Sequence, residues 1–192
     1  MLERIAQSLA EHQQAVTALQ AEHAASIAQI ATRLTQTLLS DGRILICGTG
    51  TAGALGQMFA THLNHRLDRE RPSLPAMSLN NDTHLINAVA TAHGSANVFA
   101  HQIRAMGRET DLVVILSTTG SEPALMKAVL AAHDQDIGVI LLSQREGGQI
   151  SSLSGFEDQE LRLPSVTPSG VAELQLLTLN LLIQSIESQL FG

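Results

Sequence analysis

Two stretches of this chain, LVVILS (112–117) and IGVILLS (137–143), are nearly unbroken apolar runs. A strand that is apolar at almost every position has no polar face to give to water, so both of its faces must be covered. Three further short apolar runs have strand character: ILIC (44–47), LPAMSL (74–79) and ELRLP (160–164). Segments with helical spacing lie between them, at 53–67, 83–106 and 122–134, and a last one spans 171–190. Strands alternating with helices imply an α/β fold, a parallel sheet with helices on both faces. Ligands of such folds sit at the carboxyl ends of the strands.

Residues 1–40 read as helix. Leu2, Ile5, Leu9, Val16 and Leu19, then Ile27, Ile30, Leu34 and Leu38, recur at helical spacing, and Gly and Pro are absent until Asp41-Gly42. The organisation expected is one domain over 1–192, with a helical region at 1–40 and an αβα core with its closing helix at 41–192. Net charge is −7 with no basic block, which argues against direct nucleic-acid binding. The single cysteine, Cys47, excludes a disulfide framework and fits a reducing cytoplasm. The first residues, MLERIAQSLAEHQQ, lack the apolar core of a signal peptide, and no stretch is apolar enough to span a membrane. With no Trp or Tyr, stacking platforms are scarce.

ILICGTGTAGALG (44–56) carries Gly48, Gly50 and Gly53 in the G-x-G-x-x-G spacing of dinucleotide sites. Such a site also needs an acid at the tip of the second strand. Asp68 and Glu70 precede that strand and Asp82 comes too late, so the sequence argues against NAD. The glycines serve a tight strand-to-helix turn. STTGSEPALM (117–126) surrounds Gly120 with hydroxyls just before a helix opening near Pro123. Two readings of this loop stand together. Backbone N–H groups and hydroxyls at a helix N-terminus make an anion cradle. Ser121 and Glu122 also suit a helix cap, and the Glu122 carboxylate would repel a phosphate at the lip of the cradle.

The combination of C-G-x-G in ICGTGTAG, RERPSLPA (69–76), the S-T-x-G loop, HQIRAMG (101–107), the EGG turn (146–148) and a long closing helix resembles the sugar isomerase (SIS) domain family. Within it the pattern is similar to phosphoheptose isomerases and to the DnaA initiator-associating proteins. The resemblance covers the whole chain. It implies a flavodoxin-like three-layer αβα sandwich with a five-stranded parallel sheet, two N-terminal helices and a homotetramer. Heptose isomerases carry a catalytic Glu in an H-F-A-E-E-L-like segment; here that segment is Met58-Phe59-Ala60-Thr61-His62-Leu63, with His62 at the position of the base and Met58 at that of a zinc-ligand histidine. Their last-helix histidine is Asn180 here, their first-loop serine Ala52, the N-D pair after their second strand Thr91-Ala92, and the R-I-Q-E segment Gly170-Val171-Ala172-Glu173. Asn transfers no proton near neutral pH.

The resemblance therefore implies a degenerate catalytic site at His62 and Asn180, with no cofactor. A remnant phosphate- or sugar-binding surface is expected at Gly48, Thr49, Gly50, Thr51, Ser117, Thr118, Thr119 and Ser121. His62 and His65 sit at i and i+3 on a helix, a weak metal pair whose alternative is a solvated face or subunit contact. The initiator-associating branch implies a scaffold that binds a DnaA-type initiator. In that branch a terminal Leu-Phe pair, here Leu190 and Phe191, is associated with the contact; docking on its own subunit is the other reading. The alternative is a sugar-phosphate isomerase or sensor with an altered site, for which zinc and a sugar phosphate would be the ligands.

Overall fold

The computed structural model describes residues 1–192. The five strands are β1 (Ile44–Gly48), β2 (Ala76–Ser78), β3 (Leu112–Leu116), β4 (Gly138–Gln144) and β5 (Gln159–Leu163). They form one parallel sheet in the order β2-β1-β3-β4-β5. Six α-helices flank it: α1 (Leu2–Leu39), α2 (Thr51–Asn64), α3 (Thr83–His93), α4 (Val98–Met106), α5 (Pro123–His133) and α6 (Pro168–Phe191). The fold is the expected three-layer sandwich.

The alternation of Cβ directions along each strand sorts the core into two layers. Ile44, Ile46, Leu112, Val114, Leu116, Ile140 and Leu142 face α1, α2 and α6. Leu45, Cys47, Val113, Ile115, Val139 and Leu141 face α3, α4 and α5. Every residue of β1 and β3 is buried. Cys47 lies among the second set, and burial pushes its thiol far above the ordinary range, so it is no nucleophile.

Four expectations need correction. The region 83–106 is not one helix: Gly94, at φ +85°, ends α3, and a 3-10 turn (Ser95–Asn97) re-aims the chain into α4. The N-terminal region is one uninterrupted helix of 38 residues, not two. Nothing in its Ala/Gln-rich sequence breaks it. It runs parallel to α6, with His12 meeting Glu173 near one end and Thr32 meeting Gln189 near the other. The second strand keeps only Ala76–Ser78 of its six apolar-run residues, because it lies at the sheet edge. Finally, α6 begins earlier than read, at Pro168, with the Thr167 hydroxyl capping the Gly170 N–H. The first eleven residues are all exposed, so Leu2, Ile5 and Leu9 form an apolar stripe beyond the body of the subunit. No helix is long and apolar enough to cross a membrane.

RERPSLPA and EGG acquire physical roles. Arg71 is 1% exposed and its Nε donates to Glu187 of α6 at 2.8 Å. Its other donors reach the carbonyls of His62, Leu63 and Pro72, which closes the C-terminus of α2. One guanidinium thus joins α2 to α6. In the EGG turn, Gly147 and Gly148 take positive φ, and a Cβ on either Gly148 or Gly120 would strike the other loop. At the opposite end of the sheet, Asp111 binds Arg43 through both oxygens, and hydrogen bonding to it raises the Arg43 pKa against the cost of burial. Glu187→Ala strands a buried guanidinium. It is expected to lower stability by about 3–5 kcal/mol, read as a fall in the urea midpoint without a change in slope.

Candidate functional site

The sheet order places β2 and β3 on opposite sides of β1, so the chain changes direction between β1 and β3. A doubly wound sheet opens a crevice at the carboxyl ends of such a strand pair. A cleft of about 540 Å³ lies there, within the range of small-molecule sites. Thr49, Gly50 and Thr51 from the loop after β1 form one wall, and Thr118, Thr119 and Glu122 from the loop after β3 form another. The first turns of α6 supply Ser169, Ala172, Glu173 and Leu176. A larger concavity of about 760 Å³ sits at the amino end of the sheet, along α1 and the 155–158 loop. There His133 and Asp158 are paired at 2.7 Å, and Asp158 also accepts from the Val139 and Gly155 N–H groups, so that pair anchors a loop.

The first loop depends on Gly48, where a Cβ would meet the backbone of Ala52 at 2.7 Å. Asn80, after β2, pairs its amide with the backbone of Gly48: Nδ2 donates to the Gly48 carbonyl at 2.9 Å and Oδ1 accepts from its N–H at 3.3 Å. Asn80 extends the sheet by a side chain and was not singled out in the sequence. Its one signal is an asparagine directly after an edge strand. Asp82 is engaged as the N-cap of α3 through the Leu85 N–H. No acid therefore stands ready for a ribose.

The second loop is wrapped around Glu122. Thr118 N–H and Thr119 N–H both donate to Oε1 at 3.0 Å. The Ser117 hydroxyl donates to Oε2 at 2.6 Å, and Ser121 N–H donates to the same oxygen at 3.1 Å. The Ser117 hydroxyl in turn accepts from Gly120 N–H at 2.9 Å. The sequence reading put this carboxylate at the lip of an anion cradle or in a helix cap. Glu122 is the N-cap residue of α5, but its side chain makes no cap bond there; it turns back and fills the cradle. Burial pushes the Glu122 carboxyl up, but the hydrogen bonds from Ser117 and from the backbone N–H groups outweigh it and hold the group below its ordinary value.

The remnant-surface residues are brought together, in distinct roles. Thr49, Gly50, Thr51, Thr118 and Thr119 line the cleft. Ser117 is buried beneath Glu122, Ser121 is exposed with its hydroxyl 3.3 Å from that of Thr119, and Gly48 lies within β1. His62 and Asn180 are not among the cleft-lining residues. The His62 Nδ1 lies 3.0 Å from the Arg66 carbonyl at the end of its own helix. The Asn180 Oδ1 is buried without a partner, as are the Gln175 Oε1 and the Thr178 hydroxyl on the same helix. Gln175 Nε2 ties α6 to the ends of β3 and β4 by donating to the Ser117 and Leu142 carbonyls. The donor set does not fit zinc: Met58, at the position of the zinc-ligand histidine, offers no ligand of the usual kind, and no three His, Cys, Asp or Glu side chains converge anywhere. Glu173, met in the sequence only as the end of the R-I-Q-E-like segment, lines both the cleft and the adjoining groove, where its Oε2 meets the His12 Nδ1 at 2.8 Å.

Leu190 and Phe191 lie at the far end of α6, about 28 Å from Ala172 at 1.5 Å per residue. Leu190 packs partly against the core, whereas Phe191 is 36% exposed, and the Arg69 guanidinium holds the Gly192 carbonyl at 2.8 Å beside it.

A model described as the SIS domain matches residues 8–143. The phosphoheptose isomerase of Chromohalobacter salexigens is 39% identical, over 83% of this chain and 81% of its own. The DnaA initiator-associating protein DiaA of Yersinia enterocolitica is 38% identical, over 100% of this chain and 97% of its own. Among solved structures, a phosphoheptose isomerase from Francisella tularensis superposes with a TM-score of 0.94 at 32% identity, covering 97% of this chain and 98% of that one.

The lowered pKa of Glu122 gives a prediction of definite sign. A carboxylate stabilised in the folded state contributes stability above its unfolded pKa, and that contribution is lost as pH falls through the folded value. Wild type is expected to lose stability as pH drops below the ordinary glutamate value of about 4.3. Glu122→Gln, whose amide meets N–H donors, is expected to be less stable at pH 7 and to lack this component of the acid dependence. Thermal melts of both proteins across the acid range check it.

Proposed function

The chain belongs to the SIS-domain family, and from that premise we propose that it is a non-catalytic scaffold, a cytoplasmic homotetramer that binds the replication initiator DnaA and promotes its assembly at the origin. The observation that carries the reading is the Glu122 carboxylate seated in the cradle between Thr118 and Ser121. Donors that would receive a ligand's phosphate are already engaged. The positions where the heptose isomerases keep their acid–base pair hold His62, turned to its own helix end, and Asn180, which carries no transferable proton.

Partner binding is assigned to Leu190 and Phe191. The Arg71–Glu187 pair and the Arg69–Gly192 contact hold this helix end, so the Phe191 ring is presented from a fixed base. The apolar stripe Leu2, Ile5 and Leu9 supports self-assembly, since an isolated subunit leaves it in water. Four sites on one body raise the local concentration of bound initiators without any new contact. Relatives named DiaA, matched over the full chain, support the reading.

A second reading, a sugar-phosphate isomerase or sensor with an altered site, draws equal support from the relatives named phosphoheptose isomerase and from the intact cleft. Two experiments divide them. Phe191→Ala is expected to abolish retention of DnaA in a pull-down while sedimentation shows the same assembly as wild type; unchanged retention removes the proposed contact. Calorimetric titration with sedoheptulose 7-phosphate, with and without zinc, is expected to give no saturable heat. Saturation at one ligand per subunit, followed by turnover that is lost in His62→Ala, would establish the isomerase instead.

A further inference from the structure

The cleft between the two loops survives although its anion cradle is filled, and its chemistry has changed sign. Its charged walls are Glu122 and Glu173, both carboxylates, and neither Lys nor Arg lines it. Glu122 accepts four hydrogen bonds on two oxygens and has no capacity left for a ligand donor. Glu173 keeps one oxygen free, since only Oε2 meets His12. The remaining polar groups are hydroxyls: Thr49, Thr51, Thr118, Thr119 and Ser169. Opposite them Leu55, Ala172 and Leu176 make an aliphatic wall, and no aromatic ring is present.

Each feature excludes a ligand class. A phosphate would face two carboxylates in a partly desolvated cleft with no cation to offset them. A flat heteroaromatic base would find no ring to stack on. A purely apolar ligand would leave the row of hydroxyls without partners. A polyhydroxylated, uncharged molecule suits what is left: its hydroxyls exchange hydrogen bonds with the threonines and with the free Glu173 oxygen, and its C–H face lies on Leu55 and Leu176. The volume of about 540 Å³ accommodates a sugar of five to seven carbons.

We propose that this cleft is a binding site for an unphosphorylated sugar or polyol, with Glu122 acting as a built-in substitute for the phosphate that the ligand lacks. The inference goes beyond the scaffold reading and does not depend on the DnaA contact. It makes Glu122 a determinant of specificity: the same carboxylate that holds the loop in shape turns phosphorylated sugars away. The position is one residue from a different selectivity, because Glu122→Ser empties the cradle and frees the N–H groups of Thr118, Thr119 and Ser121.

The test is ligand-observed saturation-transfer NMR on the full-length protein with matched pairs: D-arabinose and its 5-phosphate, D-mannose and its 6-phosphate, sedoheptulose and its 7-phosphate. Wild type is expected to give transfer to at least one unphosphorylated member and to bind its phosphate more weakly by about ten-fold or more. In Glu122→Ser the preference is expected to reverse. Glu173→Gln keeps the fold and is expected to weaken the unphosphorylated sugar. Equal or tighter binding of the phosphates by wild type overturns the proposal, as does an unaltered preference in Glu122→Ser. Failure of every unphosphorylated member at millimolar concentration overturns it too. That last result leaves the scaffold reading standing, because the Phe191→Ala pull-down decides that one separately.

Discussion

The double burial of the central strands governs this structure. β1 and β3 are apolar at every core position and covered on both faces, so the chain must supply a helical layer on each side. Successive residues of one strand are divided between those layers, which fixes register as well as fold. The strands' polar backbone groups are satisfied laterally until each strand ends. At the carboxyl ends that satisfaction stops, and the loops after β1 and β3 expose N–H groups that need acceptors. Asn80 meets part of this need at Gly48 and Glu122 meets it at Thr118, Thr119 and Ser121. The cleft is what remains between two loops completed from within.

Much of the architecture was legible because it is written in local patterns. The apolar runs at 112–117 and 137–143 mark β3 and β4 within one or two residues, and the glycine turn after 48 marks the start of α2. The break at Gly94 was missed because apolar residues at helical spacing continue on both sides of it. A single Gly is tolerated within helices, and nothing local revealed that this one takes φ +85°. The edge strand came out shorter than its apolar run, because an outer strand gains pairing on one side only.

The site was legible as a place and not as a state. Composition of the STTGSE loop announces an anion cradle, yet whether Glu122 points outward or back is decided by a rotamer. The return path closes four hydrogen bonds and is the one taken. Arg71 and Glu187 are 116 residues apart, so no window of sequence could pair them. The same holds for His12 and Glu173, which meet only because α1 lies beside α6. Within RERPSLPA it is Arg71 whose buried guanidinium joins α2 to α6.

α6 carries the cleft wall on its first turns and Phe191 on its last, with a buried, rigid middle between them. Selection can therefore act on the two ends as separate traits. A substitution among the cleft-lining residues Ala172 and Glu173 leaves the surroundings of Phe191 untouched, and the reverse is equally open. The helix works as an insulator.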